Sequence, residues 1–223
     1  MPDQPSQAVQ DYLKAIHKLD GSDHMVSPVD IAAQLEVRAP SVTGMLKRLA
    51  DAGWIVYEPG TGAKLTPLGV AEARRVIRRH RLVELFLTRV WGLDCSDVDA
   101  EAEALEHAIS PRLEQALAAH LGEPLEDPHG HPIPTREGDM ARRDLRPLSE
   151  FRPGQRVVIR EARDDSPERL RRWQSLSLTP GAVVSFLSHQ PLDDLFEVEV
   201  AGRRVALGSE GLEGLLGERL LDE

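Results

Sequence analysis

Two short stretches carry side chains whose types and spacing suit a divalent cation. In Glu101-Ala102-Glu103-Ala104-Leu105-Glu106-His107, the residues Glu103, Glu106 and His107 stand at i, i+3 and i+4. That spacing puts two carboxylates and an imidazole on one face of a helix. Upstream, His80 and Glu84 are an i, i+4 pair on another helix. Carboxylate oxygens with imidazole nitrogen can hold one or two divalent ions. The competing reading is a solvated acidic face, with Arg78, Arg79 and Arg81 making ion pairs around His80. A zinc peptidase needs His-x-x-Glu-His, but Glu103 stands where the first histidine belongs. No Gly-x-Ser-x-Gly, phosphate-binding loop or dinucleotide fingerprint occurs, and Cys95 has no local catalytic signature. A non-enzyme without a small-molecule substrate is expected.

The elements that must position these groups follow from local punctuation. Ser27-Pro28, Thr66-Pro67 and Ser110-Pro111 each combine a hydroxyl N-cap with proline in the first turn. Gly53, Gly92 and Gly122 each close a periodic apolar run. Together these predict helices near 6–20, 28–35, 39–52, 67–91, 96–108 and 111–121. Residues 54–65 form two short runs around Pro59-Gly60-Thr61-Gly62, a β-hairpin pattern. Prolines 124, 128, 132, 134 and 147 mark a linker from 122 to 148. Beyond it, Arg156–Arg160, Ala182–Leu187, Leu195–Val200 and Arg203–Leu207 read as strands of a small barrel, with 165–176 its helical insertion.

Residues 27–53 have the form of a helix-turn-helix, followed by the hairpin as a wing. Ile31, Ala32 and Leu35 supply the inner face of its first helix, and Val42, Met45, Leu46 and Leu49 that of its second. The second helix turns outward Arg38, Pro40, Ser41, Thr43, Gly44, Lys47 and Arg48, with no acid between residues 37 and 50. Such a helix lays its N-terminal residues against base edges while flanking cations pair with phosphates, and Lys64 of the wing would add a backbone contact. An ordinary helical hairpin with a solvated face is the alternative.

Charge decides between them only when it is located. The formal net charge of -10 argues against nucleic acid. Residues 1–82, however, carry 11 Lys+Arg against 9 Asp+Glu, a net of +2, and the remainder carries -12. A slightly basic N-terminal reader joined to an acidic sensor fits DNA binding. At 41% hydrophobic and 29% charged the chain can build real cores. No apolar run approaches the ~18 residues of a membrane span, no signal-peptide core is present, and one cysteine excludes an intramolecular disulfide. A cytoplasmic location and no membrane partner are expected.

The order of these motifs resembles the diphtheria toxin repressor family of metal-dependent transcriptional regulators, in its manganese-responsive branch. The specific pieces are Asp11-Tyr12-Leu13, Leu35-Glu36-Val37, Pro40-Ser41-Val42-Thr43, Glu103-Ala104-Leu105-Glu106-His107 and Asp127-Pro128-His129-Gly130-His131-Pro132-Ile133-Pro134. The resemblance implies a mainly α chain with a β-hairpin wing: a winged helix-turn-helix domain (1–72), a helical metal-binding and dimerisation domain with its Pro-rich linker (73–147), and an SH3-like β-barrel domain (148–223).

It also implies a primary metal site of Asp11, Glu103, Glu106 and His107. In iron-responsive members Met and Cys stand where Asp11 and Glu103 stand here, and hard oxygen in place of sulfur favours Mn(II) over Fe(II). Manganese-responsive members without the barrel carry a glutamate where this chain has Lys14, which cannot be a ligand while charged. An ancillary site is implied at Glu84, Asp127 and His129, with His80 close by and Asp164 or Asp165 supplied from the barrel. Two sites per subunit, a palindromic double-stranded DNA operator, a homodimer and repression of metal-uptake genes complete the expectation. The alternatives are an Fe(II)-responsive member of the same family, a metal-dependent hydrolase with an adventitious winged fold, and a repressor sensing an organic ligand.

Overall fold

The computed structural model describes residues 5–163 and 166–220; the candidate ligands Asp164 and Asp165 lie outside the described residues. The chain forms two compact units, one of Met1–Arg79 with Glu106–Ile109 and Pro134–Asp139, the other of His80–Leu105, Ser110–Ile133 and Met140–Glu223.

The first unit contains α1 (Gln7–Lys18), α2 (Pro28–Gln34), α3 (Ala39–Asp51), β1 (Ile55–Glu58), β2 (Gly62–Leu65) and the first part of α4 (Pro67–Arg89). The hydroxyl caps work as the sequence implies. Ser27 Oγ accepts from the Asp30 amide at 3.1 Å, and Thr66 Oγ1 accepts from that of Gly69 at 3.2 Å. Leu13 and Ile16 of α1, Ile31 of α2, and Val42, Leu46 and Leu49 of α3 share one core with Ile55 and Leu65 of the hairpin. Each such side chain contributes roughly 1.5–3 kcal/mol by leaving water. The hairpin pairs Ile55 with Leu65 and Glu58 with Gly62, so Ile55 and Leu65 point inward while Val56 is exposed. A bridge from Val26 to Ala63 ties the hairpin to the chain entering α2.

The second unit holds the remainder of α4, then α5 (Val98–Leu105) and α6 (Pro111–His120), where Ser110 Oγ caps the Leu113 amide at 3.2 Å. Leu82 and Leu85 pack with Ala118 and Ile133. Helix α5 is shorter than the 96–108 expected, with Glu106–Ala108 forming a turn. Pro111 disfavours helical geometry at Ser110. Glu106 and His107 also bond to residues of α1 instead of continuing the helix.

The rest is an antiparallel six-stranded sheet in the order β3-β8-β4-β5-β6-β7, made of β3 (Arg146–Pro147), β4 (Arg156–Ala162), β5 (Val183–Gln190), β6 (Leu195–Val200), β7 (Arg203–Gly208) and β8 (Leu215–Arg219). Helix α7 (Pro167–Ser175) inserts between β4 and β5, and α8 (Ser209–Leu212) precedes β8. Val157, Ile159, Val184, Phe186, Phe196, Val198 and Leu215 form its core with Leu170 and Trp173 of α7. Strand β8 has no clear alternation in the sequence because Gly217 sits mid-strand. A Cβ there would lie 2.7 Å from the Val158 carbonyl oxygen, so only glycine lets β8 approach β4 this closely.

Candidate metal centres and nucleic-acid interface

Helix α3 keeps its apolar residues in the first unit's core, which leaves the other face to solvent. Arg38, Pro40, Ser41, Gly44, Lys47 and Arg48 are exposed, and Thr43 is half-buried. Lys64 is half-buried, and its Nζ donates to the Asp23 carbonyl at 2.8 Å. The turn before α3 places Glu36 at φ 54, a left-handed conformation uncommon outside glycine.

Three groups of potential metal ligands occur among the described residues, each with ligand atoms within 4.8 Å of one another. The first joins Asp11 of α1 to Glu106 and His107. His107 Nε2 is buried, makes no well-directed hydrogen bond among the described residues, and stands 2.8 Å from Asp11 Oδ1 and 3.4 Å from Glu106 Oε1. Two carboxylates converging on an imidazole nitrogen are a hard donor set that fits a divalent cation. Lys14, one turn after Asp11, places Nζ 2.8 Å from Glu106 Oε2, with the two side chains 5% and 0% exposed. On its other side His107 Nδ1 meets Gln10 Oε1 at 2.8 Å.

Glu103 stands in the second group, with His80 and Asp99. His80 Nε2 is 3.3 Å from Asp99 Oδ1 and 3.5 Å from Glu84 Oε1, while its Nδ1 is 3.9 Å from Glu103 Oε1. Because α5 ends at Leu105, Glu103 does not share a helix face with Glu106 and His107 as the spacing had implied.

The third group is Asp127, His129 and His131. Asp127 Oδ1 accepts from the His129 amide at 2.8 Å and from the His131 amide at 3.0 Å. Its Oδ2 is 3.0 Å from His131 Nδ1 and 3.4 Å from Arg81 Nε. Burial pushes the Asp127 carboxyl up, but His131, Arg81 and His129 outweigh it and hold it well below the usual carboxylate range.

His129 Nε2 donates to the Cys95 carbonyl at 2.9 Å, which turns Nδ1 toward Glu84 Oε1 at 3.6 Å. Burial lowers this imidazole's pKa, yet the Cys95 bond and the charges of Glu84 and Asp127 push it up to about 9. Glu84 Oε1 is thus adjacent to both His80 Nε2 and His129 Nδ1. The loop is held against β4: the Ala162 amide donates to the His129 carbonyl at 2.9 Å, and Gly130 at φ 84 would place a Cβ 1.9 Å from the Arg160 carbonyl oxygen.

Sequence reasoning passed over Asp99, His131, Gln10 and Glu72. Asp99 had a signal, since it precedes Glu103 by one helical turn. Gln10 and Glu72 had none, because neither is an obvious ligand and they are 62 residues apart.

A winged helix-turn-helix reader combined with buried carboxylate–imidazole groups defines a metal-dependent DNA-binding regulator. Comparison with known proteins agrees. Residues 6–63 match the iron dependent repressor N-terminal DNA binding domain, and residues 66–135 its metal binding and dimerisation domain. Residues 146–218 match the FeoA domain. An HTH-type transcriptional regulator of Methanocaldococcus jannaschii is 33% identical over 113 residues, 50% of this chain and 90% of that protein.

The diphtheria toxin repressor of Corynebacterium efficiens is 35% identical over 123 residues, 55% of this chain but only 54% of that protein. A solved manganese-dependent transcriptional repressor in complex with manganese superposes with a TM-score of 0.88 at 32% identity, covering 95% of this chain and 100% of the other. The chain belongs to the diphtheria toxin repressor family of metal-dependent transcriptional repressors, which are regulators and not enzymes. Among the described residues, no helix is long and apolar enough to cross a membrane.

Proposed function

We propose that this chain is a Mn(II)-activated repressor that binds a palindromic operator as a homodimer in the cytoplasm and controls metal-uptake genes. The observation that carries the metal dependence is the convergence of Asp11 from α1 on Glu106 and His107, with His107 Nε2 buried 2.8 Å from Asp11 Oδ1. Asp11, Glu106 and His107 would hold the primary cation, with Glu103 the fourth ligand that the family pattern implies. His80, Glu84 and His129 would hold a second, with Asp127 shaping the loop that presents His129. Bound there, a divalent cation would supply the positive charge that lets converging carboxylates sit together, and an all-oxygen-and-nitrogen donor set favours Mn(II).

The role of the protein's own groups follows from their placement. Asp11 lies on the helix whose Leu13 and Ile16 pack into the same core as α3, so fixing Asp11 restrains the helix that carries the DNA reader. Arg38, Lys47 and Arg48 would meet phosphates, Pro40, Ser41, Thr43 and Gly44 would face base edges, and Lys64 would contact the backbone. Exposed Val90, Trp91 (65% exposed), Leu93 and Leu113, within the segment matching the dimerisation domain, support pairing of two copies. Divided at 72 and 147, the chain would comprise three functional parts: reader, sensor and accessory sheet domain.

The test is a mobility shift on operator DNA with chelator, Mn(II), Fe(II) or Zn(II), repeated with D11A, E103A and H107A. Mn(II)-dependent binding that D11A and H107A abolish is expected. Binding that survives chelator, or a full Mn(II) response in both variants, refutes the proposal. A stronger response to Fe(II) would favour the iron reading, which the iron dependent repressor match keeps in view.

A further inference from the structure

We infer that Gln10 and Glu72 form a relay that fixes which nitrogen of His107 faces the cation. Glu72 is a carboxylate, which only accepts hydrogen bonds. Gln10 Nε2 donates to Glu72 Oε1 at 2.9 Å. That bond orients the whole amide, because the two ends of a glutamine side chain have opposite hydrogen-bonding character. Gln10 Oε1 must then point away from Glu72, and it lies 2.8 Å from His107 Nδ1.

A carbonyl oxygen only accepts, so Nδ1 carries the proton and Nε2 is left as the nitrogen beside Asp11 and Glu106. The reverse amide orientation would set Gln10 Oε1 against the Glu72 carboxylate, acceptor facing acceptor. Burial removes the alternative of water, since Gln10 is 1% and Glu72 4% exposed. Glu72 is itself held on its other oxygen by Arg75 at 3.1 Å.

Imidazole ligands commonly donate their second N–H directly to a carboxylate or carbonyl, and loss of that partner typically costs 10–100-fold in metal affinity. Here the carboxylate's direction is passed through one amide. Gln10 and Glu72 are therefore positioning residues. They act on His107 across 97 and 35 residues of sequence, and nothing in their types marks them. The inference rests on the reading of His107 as a ligand.

The experiment uses the full chain. Mn(II) affinity is measured by loss of the aqua-ion EPR signal in wild type, Q10L, E72Q, H107A and the swap Q10E/E72Q. The Nδ1 proton of His107 is observed by 15N-resolved NMR in the metal-free and Zn(II)-loaded proteins. The expected result is a 10–100-fold loss in Q10L and a smaller loss in E72Q, where the amide carbonyl at position 72 can still accept from Gln10 Nε2 but the amide no longer fixes the direction. Recovery to within about threefold is expected in the swap, because the carboxylate moved to position 10 accepts from Nδ1–H while the amide moved to position 72 donates to that carboxylate.

The swap conserves side-chain volume and reverses the order of the same two groups, so a merely structural role would not predict rescue. Wild-type affinity in both single variants with binding lost in H107A overturns the relay and leaves His107 a ligand. Zn(II) found on Nδ1 overturns it as well. A protected Nδ1 proton together with undiminished Mn(II) binding by H107A shows instead that the ligand reading is what failed, and the relay's metal role falls with it.

Discussion

Replacing Lys14 by Met removes one half of a buried ion pair at low cost in volume. Lys14 Nζ and Glu106 Oε2 are 2.8 Å apart, and the side chains are 5% and 0% exposed. At an effective dielectric of about 20, the gross attraction at that separation is about 6 kcal/mol. Most of it offsets the desolvation of two ions, so the pair is worth little beside an apolar substitute. Removing one member is different, and costs roughly 3–5 kcal/mol because the buried Glu106 carboxylate loses the ammonium charge beside Oε2. For a unit of fewer than 100 residues, each kcal/mol moves Tm by roughly 4–8 °C. K14M should thus melt at least about 12 °C below wild type in chelator.

Two further measurements bear on the same pair. K14M/E106Q removes the carboxylate charge as well and should recover much of the loss, with a coupling of at least about 1 kcal/mol in the double-mutant cycle. Mn(II) should raise the Tm of K14M by more than it raises that of wild type, since added positive charge replaces the missing ammonium beside Glu106. Calorimetric melts with and without metal read all three quantities. A K14M protein that melts within about 2 °C of wild type, with no coupling to E106Q, would refute the assignment of this lysine as an internal counter-cation.

Three other outcomes are expected. In K47A the logarithmic dependence of operator affinity on salt should lose about one unit of slope, equally on specific and random DNA, if Lys47 neutralises one phosphate; an unchanged slope in salt titrations removes it from the contact set. His129 has its pKa raised from 6.5 to about 9, so its contribution to metal-free stability is complete below about 6.5 and is lost as pH rises through about 9. The Tm gap between wild type and H129Q should accordingly close over that window, and a gap that stays constant across it contradicts the assignment. G130A should cost roughly 2–5 kcal/mol, from left-handed backbone and a Cβ 1.9 Å from the Arg160 carbonyl oxygen, whereas G122A, left-handed with nothing within 4 Å, should cost only about 1–2 kcal/mol in chemical denaturation.

Much of the scaffold was legible because its signals are local. Ser27-Pro28, Thr66-Pro67 and Ser110-Pro111 announce helix starts by hydrogen bonds that close within three residues. The outward basic face of α3 follows from the period of Val42, Leu46 and Leu49 alone. Strand β8 was not legible, since Gly217 reads as a breaker until the neighbouring β4 backbone is known to require it. The end of α5 was not legible either. Glu103, Glu106 and His107 have ideal helical spacing, but Glu106 and His107 leave the helix to meet Lys14 and Asp11 of α1.

The sequence by itself determined the kinds of chemistry available: carboxylates and imidazoles in helical segments, a basic reader helix, and no catalytic set. Side-chain type and short-range periodicity are enough for that. Only the tertiary structure decided the grouping. It joined Glu103 to His80 and Asp99, engaged both Asp127 oxygens within its own loop and with Arg81, and set Gln10 and Glu72 behind His107. These are contacts between residues from 2 to 97 positions apart, and hydrogen-bond direction in a buried network depends on every member being present at once.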